Sequence, residues 1–193
     1  MKKLSRMYIA FQDWRWRRKL HKTFSRMKSV GRNVYIREDY SIFPPENVSI
    51  GDNVYIGEHF LARAEGGLTI GSGTLIGRYT EIRTSGHNYN SADLRSLPYD
   101  DRIYSSPTVI GENCWIATHV IFVRGVTVGE GAVIGMGAVV TKDVPPLAVV
   151  AGNPARVIKY RDRDVYEKLK AEGRVYLDMN YDYDRSTLKK SEW

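Results

Sequence analysis

The chain has 193 residues, of which 42% are hydrophobic and 26% charged, and its net charge is +7. That composition fits one globular domain with a core and excludes a disordered protein. No run of 18 apolar residues is present, which excludes a spanning helix, and the single cysteine, Cys114, excludes an intrachain disulfide framework. The basic N-terminus lacks the apolar stretch of a secretory signal, so a cytoplasmic location is expected.

The charge is unevenly placed. Residues 1–32 hold eleven Lys/Arg against one acid, Asp13, so this stretch carries +10 and the remainder −3. A mildly acidic body argues against nucleic-acid binding by the core. The same segment interleaves Tyr8, Ile9, Phe11, Trp14, Trp16, Leu20, Phe24 and Met27 with its bases. Residues 1–30 therefore read as a basic aromatic segment, helical in character. It suits either a cap on the open end of the following domain or a peripheral contact with the inner face of an anionic membrane.

From residue 31 the chain repeats. An apolar residue recurs every six positions at Ile110, Ile116, Phe122, Val128, Ile134 and Val140, and earlier at Ile50, Ile56, Ala62 and at Ile70, Ile76, Ile82. Two-residue shifts separate the earlier stretches, and Ile36 and Ile42 form a less regular entry. Glycine follows the mark at Gly51, Gly57, Gly71, Gly77, Gly111, Gly129 and Gly135, with Ala117 in that place once. Four residues after the mark stands a small or β-branched residue, such as Val54, Thr74, Cys114, Val120 or Ala132. A period of six fits neither an α-helix nor a hairpin sheet. It predicts a parallel β-coil with three short sides per turn, its aliphatic and small residues pointing inward and its glycines relieving tight corners. An antiparallel sandwich would need the phase to match by coincidence.

Between Ile82 and Ile110 the phase is lost. Residues 83–108 are polar and rich in turn formers, and read as a loop expelled from the coil; such a loop in a compact domain points to function. The coil pattern ends at Lys142–Pro146, where two prolines cannot join a ladder. Residues 162–172 predict a short helix stopping near Gly173, and 161–193 form a C-terminal helix and tail.

The repeat, the His87 loop and the ending Gly135-Met-Gly-Ala-Val-Val-Thr-Lys-Asp-Val-Pro-Pro with Ala151-Gly-Asn-Pro-Ala-Arg resemble the hexapeptide-repeat acyltransferases. Within them the chain is most similar to the galactoside and maltose O-acetyltransferases and the sugar O-acetyltransferases of surface-polysaccharide clusters. The resemblance covers about residues 31–160. It implies an all-β fold, a left-handed parallel β-helix, and a homotrimer with active sites between subunits and acetyl-CoA lying along the coil. Met136, and Ala117-Thr118, depart from the family's usual residues in the cofactor groove.

By the same resemblance His87 is the general base. The chemistry asks for one: a sugar hydroxyl attacks a thioester well only as its proton leaves, and imidazole titrates near neutrality. Trp115, Thr118, Met136, Thr141, Lys142 and Arg156 match positions that contact coenzyme A, the two cations toward its phosphates. Trp115 faces out of the coil and serves equally well as subunit packing. The loop residues Arg83, Asn88 and Asp93 are candidates for the saccharide acceptor. His59 and His119 should face outward at the surface or a subunit interface, and their spacing does not supply a zinc ligand set, so no metal is expected. Cys114 is in phase with the interior, which argues for direct transfer rather than a covalent acyl-enzyme. N-acetylation of an amino sugar nucleotide and a non-catalytic scaffold are the alternatives.

Overall fold

A computed structural model of the chain describes residues 2–178; positions 179–193, the rest of the expected C-terminal tail, lie outside the described residues. From Ser29 to Ala151 the chain winds as a left-handed parallel β-helix with three faces. The first face stacks Ser29–Val30, Val48–Ile50, Leu68–Ile70, Thr108–Ile110 and Thr127–Val128. The second stacks Val34–Ile36, Val54–Ile56, Leu75–Ile76, Trp115–Ile116, Val133–Ile134 and Ala148–Ala151, and the third Ser41–Phe43, Leu61–Arg63, Glu81–Arg83, Ile121–Phe122 and Val139–Val140.

The hexad marks form the core. Ile56, Ile82, Ile110, Ile116, Phe122 and Ile134 are completely buried, and the small residues Val54, Thr74, Thr80, Val120, Ala132 and Ala138 line the same interior. Each coil thus stacks like on like, and none buries its apolar ends until a neighbour covers it. Register explains the two-residue shifts. Val48 pairs with Leu68 and Leu61 with Glu81, a coil of 20 residues, whereas Val109 pairs with Thr127 and Trp115 with Val133, a coil of 18. The longer coils place one more inward side chain, Ala64 or Thr84, at the corner between the third and first faces. Thr84 Oγ1 stitches that corner, donating to Arg63 O at 3.0 Å and accepting from Gly66 N at 2.7 Å.

The glycines do a different job from the one expected. The strained left-handed backbone falls two positions beyond them, at Asn53, Gly73, Asn113 and Gly131 on one corner and at His59, Tyr79, His119 and Gly137 on the next. Asn tolerates this conformation because its short amide bonds locally. The glycine after the mark lies where coils touch. A Cβ on Gly71 would stand 2.5 Å from the carbonyl carbon of Gly111, and one on Gly129 2.4 Å from Pro146 N. Close approach, not corner strain, demands those glycines.

Both ends are closed. Helix α1, Lys2–Phe24, lays Trp16, Leu20 and Phe24 on the core of the first coil. Lys19 Nζ donates to Tyr40 O at 2.7 Å, and Thr23 Oγ1 shares a 2.9 Å hydrogen bond with Tyr40 Oη, fixing the helix in place. At the other end the coil runs past the point where the sequence pattern stops. Pro145 and Pro146 occupy a corner, Val144 still bridges to Val128, and Ala148–Ala151 adds a further strand to the second face. Strand Arg156–Tyr160 then pairs with it antiparallel. Helix α2, Arg163–Ala171, starts at Asp162, whose carboxylate accepts from Val165 N at 2.9 Å, and Gly173 at φ +64° follows its end, as the sequence predicts. Tyr166 buries its ring beside the coil, and its hydroxyl donates to Glu130 at 2.8 Å.

Gly71→Ala should therefore cost about 3 kcal/mol by overpacking. Gly137→Ala, where a Cβ meets nothing within 4 Å, should cost about 1 kcal/mol through its left-handed backbone alone. Thermal melting of the two variants checks the order; a smaller loss at Gly71 would refute the close-approach account.

Candidate active site

The expelled segment folds as a hairpin. Ser85–His87 and Ile103–Ser105 pair antiparallel, His87 opposite Ile103. Arg83, expected in the loop, instead ends the third-face strand Glu81–Arg83 and pairs with Glu81. The hairpin base rests on the coil, where Arg124 lies 5.5 Å from the Tyr104 ring centroid.

Beyond the hairpin strands the loop is held by a polar knot. Asp100, only 2% exposed, receives Asn88 Nδ2 at 2.9 Å, the Arg102 backbone N–H at 3.0 Å and the Arg102 guanidinium at 2.6 Å. Arg102 also reaches Asp93 at 2.7 Å, and Tyr104 Oη donates to Asn88 Oδ1 at 2.6 Å. The Arg102 guanidinium holds the Asp93 carboxyl down at about 2 and Asp100 well below the carboxylate range. The hydrogen-bonding groups of the Asn88 side chain are turned to the loop's own structure, and Asp93 is tied to it through Arg102. That is where the structure puts two residues the sequence offers as acceptor contacts.

The knot presents His87. Its imidazole is exposed and stacks on Tyr99, ring centroids 4.0 Å apart and planes inclined by 22°. Tyr99, Asp100, Arg102 and Tyr104 escape the sequence reading. Asp100 is visible there only as a turn former, and the sign of an ion-paired loop is the alternation of acids and arginines over Asp93, Arg95, Asp100, Asp101 and Arg102.

A second cluster lies on the coil. Trp115, 57% exposed, Thr118 and Met136, 73% exposed, line one groove with Gly77, Val133 and Gly135. This groove runs along the second face and its corner with the third. Lys142 and Arg156 line a separate hollow with Asp143 and Ala155, and Thr141 lies exposed beside it. The hairpin springs from the corner between the third and first faces, so the chain sets His87 and the groove on different edges of its triangular prism.

Other candidates fall away. Cys114 is 1% exposed and burial pushes its thiol up to about 11, which leaves no thiolate for acyl transfer near neutrality. His59 and His119 sandwich Tyr79 at centroid distances of 4.5 and 4.6 Å on the coil's outside. Among the described residues no three His, Cys, Asp or Glu side chains gather in a way that could hold a metal ion.

Known proteins share this architecture. Residues 107–142 match the family described as bacterial transferase hexapeptide (six repeats). The galactoside O-acetyltransferase of Escherichia coli K12 is 51% identical over 69 residues, 35% of this chain; the match spans 34% of that relative's length. A solved galactoside acetyltransferase in complex with coenzyme A superposes with TM-score 0.67 at 30% identity, over 86% of this chain and 75% of that one. A hexapeptide-repeat acetyltransferase of Vibrio cholerae complexed with acetyl coenzyme A gives TM-score 0.66 at 27% identity, over 72% and 75%. With coil, hairpin and groove all in place, the chain belongs to the hexapeptide-repeat acetyltransferases. Within that family it resembles the galactoside acetyltransferase branch.

The knot gives a pH dependence of definite sign. Folded carboxyl pKa values depressed by Arg102 stabilise the loop above the ordinary carboxylate range, and that support is lost as pH falls from about 4 through about 2. Hydrogen exchange should show Asn88 and Asp100 amides protected at neutral pH and released across that acid window. In Arg102→Gln both should exchange about 100-fold faster at neutral pH, while coil amides keep their protection.

Proposed function

We propose that the protein is an acetyl-CoA-dependent O-acetyltransferase acting on a saccharide hydroxyl, in the making of a bacterial surface polysaccharide. The observation that carries the reading is the presentation of His87: an exposed imidazole, ring-stacked and held on a rigid hairpin, in a chain whose structural relatives bind coenzyme A and acetyl-CoA. The groove of Trp115, Thr118 and Met136 offers an apolar wall and backbone amides for the acetyl-pantetheine arm. Lys142 and Arg156 suit the phosphates, with Thr141 beside them.

Transfer is direct. His87 removes the proton of the acceptor hydroxyl as its oxygen forms a bond to the thioester carbonyl carbon. The tetrahedral intermediate collapses with cleavage of the carbon–sulfur bond, and the imidazolium returns the proton to the departing thiolate. Tyr99 keeps the ring oriented through both proton transfers. The reading includes a homotrimer in which the hairpin of one copy lies over the groove of its neighbour, joining two features that a single chain holds on different edges. Arg83, at the foot of the hairpin, and Asp93, on the loop beyond it, are the exposed candidate acceptor contacts, while the buried Asn88 shapes the loop.

Thiol release from acetyl-CoA over a panel of saccharides and amino sugars tests the proposal. With a hydroxyl acceptor, His87→Ala should lower kcat about 100-fold or more. Turnover that survives the mutation removes His87 from the role of base, and survival with an amine acceptor favours N-acetylation. Lys142→Ala with Arg156→Ala should raise the KM for acetyl-CoA about 10-fold with kcat retained. A loss confined to kcat would take those residues out of cofactor binding.

A further inference from the structure

Helix α1 does more than close the coil. Its inward side is the stripe Trp16, Leu20, Thr23 and Phe24, all partly buried against the first coil. At 100° per residue Phe11, Trp14, Arg15, Arg18 and Lys22 fall on the opposite side, and each is exposed. Capping explains the inner stripe and leaves the outer one without a purpose. Phe11 is 52% and Trp14 53% exposed, their rings 5.9 Å apart. Arg15 lies 5.8 Å from the Phe11 centroid and Arg18 5.5 Å from the Trp14 centroid. Two large rings flanked by guanidinium groups form a mixed aromatic and basic surface, in which aromatics can enter the headgroup boundary and cations can meet lipid phosphates.

The charge balance selects the partner. Residues 1–32 carry +10 against −3 for all the rest. The acids near the helix offset the outer stripe only in part: Asp13 pairs with Arg17 at 2.9 Å, and Glu38 and Asp39 share one hollow with Arg15, Arg18 and Lys22. Lys19 is turned to Tyr40 and takes no part. No described helix is long and apolar enough to cross a membrane. We propose that the outer face of α1 docks on a bilayer surface containing anionic lipid, with Phe11 and Trp14 seated among the headgroups and Arg15, Arg18 and Lys22 on the phosphates. The coil then stands on the membrane by its first turn. The hairpin leaves the third coil, two strand spacings or about 10 Å further out. That height suits a glycan whose lipid anchor lies in the same membrane, a point that rests on the saccharide reading above.

The test is sedimentation of the full chain with phosphatidylcholine vesicles, alone or with about 30 mol% phosphatidylglycerol. Binding is expected only with the anionic lipid and should weaken as salt is raised. Arg15→Gln, Arg18→Gln and Lys22→Gln together should lower the partition coefficient about 100-fold. Phe11→Ser with Trp14→Ser should lower it separately and remove the binding that persists at high salt. These side chains face outward, so melting temperature should hold in both variants; if one melts early, the other still decides. Equal binding to neutral vesicles, no binding to either kind, or binding unchanged by both sets overturns the proposal, as does retention on a soluble polyanion without retention on vesicles. Acetyl transfer to a soluble acceptor, measured alongside, reports on the enzymatic reading independently.

Discussion

Everything in this fold hangs on how closely successive coils approach. The backbone N–H after each aliphatic mark donates to the mark of the next coil, from Gly51 to Ile70 O, Gly71 to Ile110 O and Gly111 to Val128 O, each at 2.8 Å. That spacing leaves no room for a Cβ at Gly51, Gly71 or Gly111, and it brings the buried isoleucines into contact in continuous columns. The hydrophobic gain and the satisfied backbone are therefore one arrangement, and the loss of either undoes the other.

The rigid prism is also what makes an expelled loop useful. A hairpin rooted at Thr84 and Ser106 is tied to a coil corner, and Arg102 ties the loop just beyond the strand that ends at His87. Placing the reactive group on a projecting arm and the apolar groove on another edge of the prism divides the labour between two surfaces. The hairpin and the groove side chains Trp115, Thr118 and Met136 can change without disturbing the core, because none of them is a mark, whereas Ile134 and Gly135 in the same groove belong to that core.

Much of this was legible in the sequence because a period of six is a direct image of the coil. Ile110 to Val140 follow it without interruption, and the outward Trp115 and inward Cys114 came out as the phase requires. The role of the glycines was not legible. The residues that carry the left-handed corner, Asn53, His59, Tyr79 and Asn113, stand two places further on, and a pattern on one strand does not reveal what the next coil brings against it. The strand Ala148–Ala151 was hidden for a similar reason, since Pro145 and Pro146 look like a terminus until their corner position is known. The site divided along the same line. His87 stands out by its loop, but the partners that hold it, Tyr99 and the Arg102–Asp100 pair, come together only through the hairpin's turn. Arg83 was assigned to the loop because polarity, not register, marked the boundary.

The two closed ends carry a further meaning. A parallel coil with bare ends is a template: its last strand offers unpaired amides and carbonyls to any identical first strand, and such units add head to tail without limit. Here Arg156–Tyr160 runs in the opposite direction along the terminal strand, so the growing edge is presented with reversed polarity, while α1 plugs the apolar mouth at the far end. Among the described residues, the second face is thereby terminated at one end and the apolar mouth covered at the other. The flanks of the described residues, rather than the ends, then offer surface to a second copy.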